Sequence, residues 1–306
     1  MSTAPSTVSP SRPRRARRPL PRGVRIALLL APALTVVAVF FLTGVAQAIA
    51  QSLGYQPFLP GGGLSLDAYR QVWADPAVRA SFGVTARVAL VSTAVSAALG
   101  VACALLVRRL GRSRGWVAGV LQANLAVPHL VGALCMVLLL SQGGFLSRMA
   151  HAVGLTDTPA DFPALTADAF GWGIIAEYVW KETPFLAVIA LAALGRGVDD
   201  LERAARVLGA SAWQRLTGVT LPLVAPAVAA GSVLVFAFAA GSYEVPALLG
   251  RPYPATLPVV ALQYYRDTDL RARPQAMALA VIIAVLTVAV AAGYFALISR
   301  LSRRSV

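Results

Sequence analysis

The residue types that most often do chemistry are rare in this sequence and poorly placed for catalysis. Lys181 is the only lysine and follows Trp180 in an apolar stretch, so the chain lacks the Gly-Lys-Ser/Thr of a phosphate-binding loop. Residues 111–115 spell G-x-S-x-G, but a nucleophile elbow needs a preceding strand, a following helix, a histidine and an acid. The two histidines, His129 and His151, have no acid at a spacing that suggests a catalytic pair. We predict no catalytic residue, no metal site, no cofactor and no enzymatic activity.

Three ionisable residues, Glu177, Lys181 and Glu182, lie within or beside the apolar stretch 170–194. Ionisable side chains in a membrane span are costly and usually face a bundle interior or water. Glu177 and Lys181 are four residues apart, in the order that favours a helical ion pair. The stretch therefore contains either a structural ion pair or a contact to a solute that passes through the membrane.

A second polar interruption, residues 242–250, follows another apolar stretch and contains Tyr243, Glu244 and Pro246. Irregular backbone at membrane depth is tolerated where it lines a cavity, so this segment either forms part of a solute pathway or is a simple exit turn. We take Glu177, Glu182, Tyr243, Glu244 and Pro246 as the candidate pathway residues. Their three acids favour a small cationic solute, such as a polyamine.

The polar block 195–222 is too long for a plain connector, because helix connections in bundles usually take roughly 2–8 residues. Its residues predict a compact helix–turn–helix, with an N-cap at Asp199 or Asp200, a turn at Gly209, a second cap at Ser211 and a helix start at Pro222.

The first predicted helix of this block is amphipathic. Leu201, Ala204, Ala205 and Leu208 share one face at helical spacing, and charged residues occupy the other. This face either rests on lipid or docks against another subunit. The small residues favour docking, since close helix approach needs small side chains.

The composition places these segments in a membrane protein. The chain is 58% hydrophobic and 13% charged, whereas a soluble domain carries about 25% charge. Six stretches reach the roughly 20 apolar residues that a spanning helix needs: 26–50, 84–107, 116–140, 170–194, 223–241 and 276–299. We predict an all-α polytopic membrane protein with six transmembrane helices in residues 26–306. The first is predicted to be uncleaved, because its apolar run exceeds a signal-peptide core of about 7–15 residues.

The formal net charge of +14 follows the predicted topology. Most arginines fall in residues 1–25, 108–115, 196–215 and 300–304, which six crossings place on one side. Basic loops stay in the cytoplasm, so both termini are predicted to be cytoplasmic, and no nucleic acid is needed to explain the charge. Residues 1–25, rich in Ser, Pro and Arg, are predicted to be a disordered basic tail.

The polar block resembles the signature E-A-A-x3-G-x9-I-x-L-P of permease subunits from binding-protein-dependent ABC importers of the bacterial inner membrane. The residues that match are Ala204, Ala205, Gly209, Leu221 and Pro222, with Val219 in the place of the Ile. Arg203 occupies the Glu position, and Glu202 lies one residue earlier. The likeness extends over about residues 170–250.

The resemblance implies the MetI-like ABC permease fold and a non-enzymatic role, with ATP hydrolysed on a separate subunit. In that family the block is a coupling helix that fits a groove of the ATPase. By this likeness the coupling residues are Glu202, Arg203, Ala204, Ala205, Gly209, Ala210, Ser211, Leu221 and Pro222. The implied partners are two ABC ATPase subunits, a second permease (homologue or copy), an extracytoplasmic solute-binding protein and membrane lipid.

Two further function classes compete with this one. A self-contained secondary transporter or channel would show inverted repeats and ion-coupling residues at mid-membrane. An intramembrane enzyme would need a catalytic pair.

The 242–250 stretch is similar to the corresponding region of the permease branch that includes polyamine, ferric-iron and phosphonate-type importers.

Overall fold

The computed structural model describes residues 21–56, 63–110 and 113–303, and within these ranges all regular structure is helical. The predicted tail falls mostly outside the described residues. Its last four residues are helical, because the first helix, α1 (Arg22–Ser52), begins earlier than predicted. The chain divides into two units, Met1–Gln47 and Ala48–Val306. The described part of the first unit is formed by the apolar α1 up to Gln47; this helix has 31 residues, with Pro32 in its interior, and its last turn belongs to the second unit.

The second unit holds twelve further α-helices in its described part. They are α2 (Asp67–Ala74), α3 (Pro76–Arg109), α4 (Arg114–Leu125), α5 (His129–Leu140), α6 (Phe145–Ala152), α7 (Trp172–Ala193), α8 (Arg196–Val207), α9 (Ala212–Arg215), α10 (Leu221–Gly241), α11 (Glu244–Leu249), α12 (Leu257–Tyr265) and α13 (Arg273–Arg303). A single π-helical segment, Leu216–Thr220, joins α9 to α10.

Five described stretches are long and apolar enough to cross a membrane. They are Gly23–Ser52, Pro76–Arg109, His129–Ala152, Ala212–Gly241 and Leu270–Tyr294. The fourth predicted span corresponds to α7, whose 22 residues would reach about 33 Å, enough for a bilayer core of roughly 30 Å. α7 is not one of the five candidate spans, because it contains three charged residues, Glu177, Lys181 and Glu182. The all-α prediction is confirmed.

The third predicted span, 116–140, is wrong as one continuous helix. α4 ends at Leu125 and α5 begins at His129, with an extended Pro128 as its N-cap. A proline pushes the preceding residue out of the helical region and has no N–H to donate, so the apolar run breaks there. The candidate span begins at the break and continues to Ala152, beyond the predicted end.

α7 lies at the centre of the second unit, packed against α3, α10, α4 and α5. Gly100 of α3 allows a close approach to α7, since a Cβ there would lie 2.8 Å from the Cβ of Leu186. Small residues have this role in membrane helix pairs. A group of packed apolar side chains joins Val198 of α8 to Val224 of α10 and Ala104 of α3. The polar block is thereby anchored to three helices of the bundle.

Candidate functional site

The helix α8 opens the polar block, and its N-cap is Gly195. The predicted N-cap at Asp199 or Asp200 is wrong, because the helix starts at Arg196 and places Asp199 in its first turn. A negative charge there is favourable to the helix dipole without any capping hydrogen bond. The Asp199 carboxylate instead accepts a hydrogen bond from Arg108.

The turn after α8 forms where it was predicted. Gly209 has a φ of +86°, in the left-handed region that glycine adopts at low cost. The N–H of Gly209 donates to the Arg206 carbonyl at 3.0 Å, and the N–H of Ala210 donates to the Ala205 carbonyl at 3.0 Å. This pair of hydrogen bonds is a Schellman motif, which closes α8 and reverses the chain.

The second half of the block is also built as predicted. Ser211 caps α9 in a capping box, its Oγ accepting from the Gln214 N–H at 3.3 Å while the Gln214 side chain accepts from the Ser211 N–H at 2.7 Å. The π-helical turn then leads directly into α10, with Pro222 in the first turn, where its missing N–H costs nothing. The helix–turn–helix is therefore continuous with a candidate membrane span.

An ion-pair network ties α8 to the rest of the bundle. Arg108, in the last turn of α3, donates from Nη1 to Glu202 Oε1 at 3.0 Å and from Nη2 to Glu202 Oε2 at 2.8 Å. Thr220, just before α10, donates its hydroxyl to the same carboxylate. We call Arg108, Asp199, Glu202 and Thr220 the brace.

The hydrogen bonds of the brace change the pKa of Glu202. Desolvation by partial burial alone would raise its pKa, but the hydrogen bonds from Arg108 and Thr220 outweigh this effect, and the pKa is lowered from its ordinary value of 4.5. Bidentate arginine–carboxylate pairs are among the stronger polar contacts in proteins. The brace therefore connects α8 mechanically to the ends of α3 and α10.

The outer face of the block is apolar and uncovered. Val207 and Leu208 are each 87% exposed, Trp213 is 70% exposed and Leu201 is 51% exposed. Large exposed apolar side chains gathered on one segment mark an interaction surface in many proteins. We call these four residues the outer patch.

The remaining coupling candidates divide between the two sides of the block. Ala204, Gly209 and Ser211 are exposed, whereas Ala205, Ala210 and Leu221 are half-buried, and Pro222 is exposed at the start of α10. Glu202 faces the bundle as part of the brace, and Arg203 faces outward, paired with Asp200 at 2.8 Å. The helix therefore directs Glu202 toward the bundle, while the apolar Val207 and Leu208 and the Arg203–Asp200 pair face outward.

The family model of the binding-protein-dependent transport system inner membrane component matches residues 96–304, more than half of the chain. The chain belongs to this family. It is a multi-pass inner-membrane protein, and its architecture is the ABC permease fold. A crystal structure of a bacterial ABC transporter involved in the import of the acidic polysaccharide alginate superposes with a TM-score of 0.75 over 92% of this chain and 96% of that one, at 19% identity.

Several transport permeases resemble the chain in sequence. The trehalose transport system permease protein SugA of Mycobacterium tuberculosis is 33% identical over 168 residues, 54% of this chain and 52% of SugA. The aligned region thus spans about half the length of SugA. The trehalose/maltose permease MalF of Thermococcus litoralis is 28% identical over 255 residues, 79% of this chain and 83% of MalF. The putrescine permease PotI of Escherichia coli is 28% identical over 223 residues, 72% of this chain and 73% of PotI. The predicted polyamine branch is therefore one of several that the permease resembles.

The candidate pathway acids of α7 lie at the break between α4 and α5. Glu177 is fully buried and Glu182 nearly so, and both face His129, whose Nδ1 lies 3.3 Å from Glu177 Oε1 and whose Nε2 lies 3.5 Å from Glu182 Oε1. His129 also packs its ring on Phe238, with centroids 4.4 Å apart. We call His129, Glu177 and Glu182 the buried cluster.

Lys181 does not form the predicted pair with Glu177. Its Nζ donates to the carbonyls of Asn124 at 2.7 Å and Val127 at 2.6 Å, where α4 has ended and leaves carbonyls without helical partners. The prediction of a Glu177–Lys181 ion pair is therefore wrong, because the break places two backbone carbonyls within reach of the Lys181 ammonium. The sequence could not show this, since Lys181 and Asn124 are 57 residues apart.

The other pathway candidates lie apart from the buried cluster. The fifth predicted span ends at Gly241, as predicted, and α11 begins three residues later at Glu244. Pro246 is buried, while Tyr243 and Glu244 are exposed. Tyr243 lines a cavity of about 400 Å³ between α10, α12 and α13, which Glu177 and Glu182 do not line. The structure therefore brings Glu177 together with Glu182 and places Tyr243 at a separate opening.

Proposed function

We propose that this permease is the membrane-spanning subunit of an ATP-driven ABC importer, and that residues 195–222 are its coupling segment. The observation that carries the proposal is the outer patch on a segment that the brace fixes to two other helices. A docked ATPase would cover the patch. Any displacement of α8 would then pass through Arg108 to α3 and through Thr220 to α10.

The proposed mechanism is alternating access driven from outside the membrane. Closure of two ATPase subunits on ATP moves the coupling segments of two permeases, this chain and a homologue or second copy. α3, α7 and α10 pack on one another, so a push at α8 reaches the centre of the bundle. The alginate importer has also been crystallised in complex with an alginate pentasaccharide-bound periplasmic protein, which supports an extracytoplasmic binding protein as a partner here. Both termini are proposed to lie in the cytoplasm.

We propose a small cationic solute, such as a polyamine, as the cargo. The relatives are named for trehalose, maltose and putrescine transport, and the putrescine permease supports this choice. Glu244 is the acid best placed to meet a solute, because it is exposed at the start of α11. Glu177 and Glu182 already face His129 and would act on a solute only indirectly. Transport of putrescine by Glu244→Gln, measured in vesicles, tests the cargo; uptake equal to wild type would refute it.

The coupling role is tested by co-purification of the permease with a co-expressed ABC ATPase subunit. Leu208→Arg places a charge on the outer patch without touching the brace, and we expect it to lose the ATPase and all ATP-dependent uptake. Leu155→Arg is the matched control, since Leu155 is 77% exposed and lies outside the block. Retention of the ATPase by Leu208→Arg, or transport by the permease alone, would contradict the proposal. Transport by the permease alone would favour a self-contained transporter.

A further inference from the structure

A basic cavity of about 670 Å³ lies beneath the coupling segment, between the end of α3, α8, α9 and the π-helical turn. Its charged lining consists of Arg108, Arg109, Arg206, Arg215 and Glu202. A cavity of this volume has ample room for a phosphate group.

The positive charge of this cavity is only partly compensated. Arg108 is neutralised by the brace, and Arg215 donates to the Ala210 carbonyl at 2.6 Å. In the described part of the chain, the guanidinium groups of Arg109 and Arg206 have no carboxylate partner. Two exposed guanidinium groups therefore face a cavity whose single carboxylate is already bound. Such an arrangement attracts an anion with several oxygens.

The cavity lies where two candidate spans end, which is the level of lipid headgroups. Leu105 and Arg108 belong to the last turns of Pro76–Arg109, and Leu216 and Thr220 to the first turns of Ala212–Gly241. Trp213 of the outer patch also lines the cavity.

The rim near the bilayer is apolar. Leu105 lines the cavity, and the neighbouring Leu106 is 63% exposed on the surface of the span. A charged cavity with an apolar edge at this depth suits a molecule that has an anionic head and a hydrocarbon tail. Basic pockets between membrane helices bind lipid headgroups in the same way.

We propose that this cavity binds the phosphate headgroup of an anionic phospholipid, with Arg109 and Arg206 as the groups that pair with the phosphate. The bound lipid would contact the same arginine-rich wall that holds the brace, so it would stabilise the coupling segment in its docked position on α3 and α10. The inference rests on the proposed function only for placing these span ends at a membrane surface. It does not require an ATPase to be bound.

The test measures lipid binding to the purified permease alone, with native mass spectrometry as the readout. Dioleoylphosphatidylglycerol and dioleoylphosphatidylcholine are titrated against wild type, Arg109→Gln/Arg206→Gln and a control, Arg266→Gln/Arg271→Gln. The control removes the same charge from two exposed arginines of another loop. At about 1 kcal/mol per basic residue near an anionic surface, we expect phosphatidylglycerol binding to weaken about tenfold or more in the first variant only. Phosphatidylcholine binding is expected to be weak throughout.

Three results would overturn the proposal. Equal losses in both double variants would show non-specific charge attraction, and displacement of the lipid by 10 mM inorganic phosphate would identify a free-anion site. Undiminished lipid binding by the first variant, with loss of ATPase co-purification, would instead assign the cavity to a carboxylate of the partner. A photoactivatable phosphatidylglycerol on wild type keeps the test decisive if the variants misfold. Cross-links at residues 105–110 and 206–220 support the proposal, and their absence refutes it.

Discussion

The brace gives a quantitative prediction about how firmly α8 is held. Arg108 and Glu202 are joined by two hydrogen bonds, of 3.0 Å and 2.8 Å, with side chains only 18% and 21% exposed. Exposed ion pairs contribute about 0.2–1 kcal/mol, whereas hydrogen bonds to charged groups contribute about 1.5–3 kcal/mol. The intermediate burial places the Arg108–Glu202 coupling at about 1–2 kcal/mol.

A double-mutant cycle isolates this energy. The variants are Arg108→Gln, Glu202→Gln and the combination, and the readout is amide hydrogen exchange in α8, which reports local opening. Each single variant should speed exchange in α8 about tenfold, since about 1.4 kcal/mol corresponds to a factor of ten. The increase in exchange rate of the double variant over wild type should be much smaller than the product of the increases in the two single variants.

A second pair on the same helix supplies the control. Arg203 Nη2 lies 2.8 Å from Asp200 Oδ1, but the two side chains are 70% and 71% exposed. An Arg203→Gln variant should therefore leave hydrogen exchange in α8 nearly unchanged. The reasoning about the brace would be refuted by a coupling below about 0.5 kcal/mol between Arg108 and Glu202, the level at which independent sites are additive. It would also be refuted if Arg203→Gln had the larger effect.

Three further predictions follow from the same structure. Because the pKa of Glu202 is lowered on folding, its contribution to stability is fully present above its ordinary value of 4.5 and is lost as the pH falls through the lowered pKa; the protection of α8 amides relative to their intrinsic exchange rates should fall there in wild type and not in Glu202→Gln. Gly100→Val should lower thermal stability by about 1–3 kcal/mol, because its side chain would collide with α7, while Gly83→Ala in the same helix meets open space and should be neutral or stabilising, as thermal unfolding in detergent will show. Lys181→Met should cost about 2 kcal/mol in the same assay, because it removes two hydrogen bonds from a charged donor at the α4–α5 break and leaves the Asn124 carbonyl only its bond from the Val127 N–H; a Lys181→Arg variant that unfolds like Lys181→Met would contradict the capping role.

The features that sequence predicted well are those specified by neighbouring residues. Gly209, Ser211 and Pro222 each determine the local backbone through a left-handed φ, a capping box and a missing N–H, and the structure has all three where they were expected. Hydropathy likewise located four of the five apolar spans. It missed the break at Pro128 because apolar residues continue on both sides and conceal the proline.

The features that sequence could not predict depend on residues far apart in the chain. Arg108 is 94 residues from Glu202, and nothing in an arginine-rich stretch distinguishes it from Arg109. His129 was recognised only as an isolated histidine, although it lies against Glu177 and Glu182. The packing of the helices brings these partners together, so the sequence could predict their residue types but not their contacts.

The one-residue departure from the family signature acquires a physical meaning in this geometry. Successive residues of a helix are about 100° apart, so Glu202 and Arg203 cannot face the same way. Glu202 is turned toward Arg108 and holds the brace, and Arg203 lies on the outer side with the outer patch. The substitution at the signature's Glu position therefore changes the surface offered to a partner and leaves the internal support of α8 intact. In the proposed assembly, the ATPase meets a guanidinium where the signature would present a carboxylate, so its own groove is expected to carry a compensating acid.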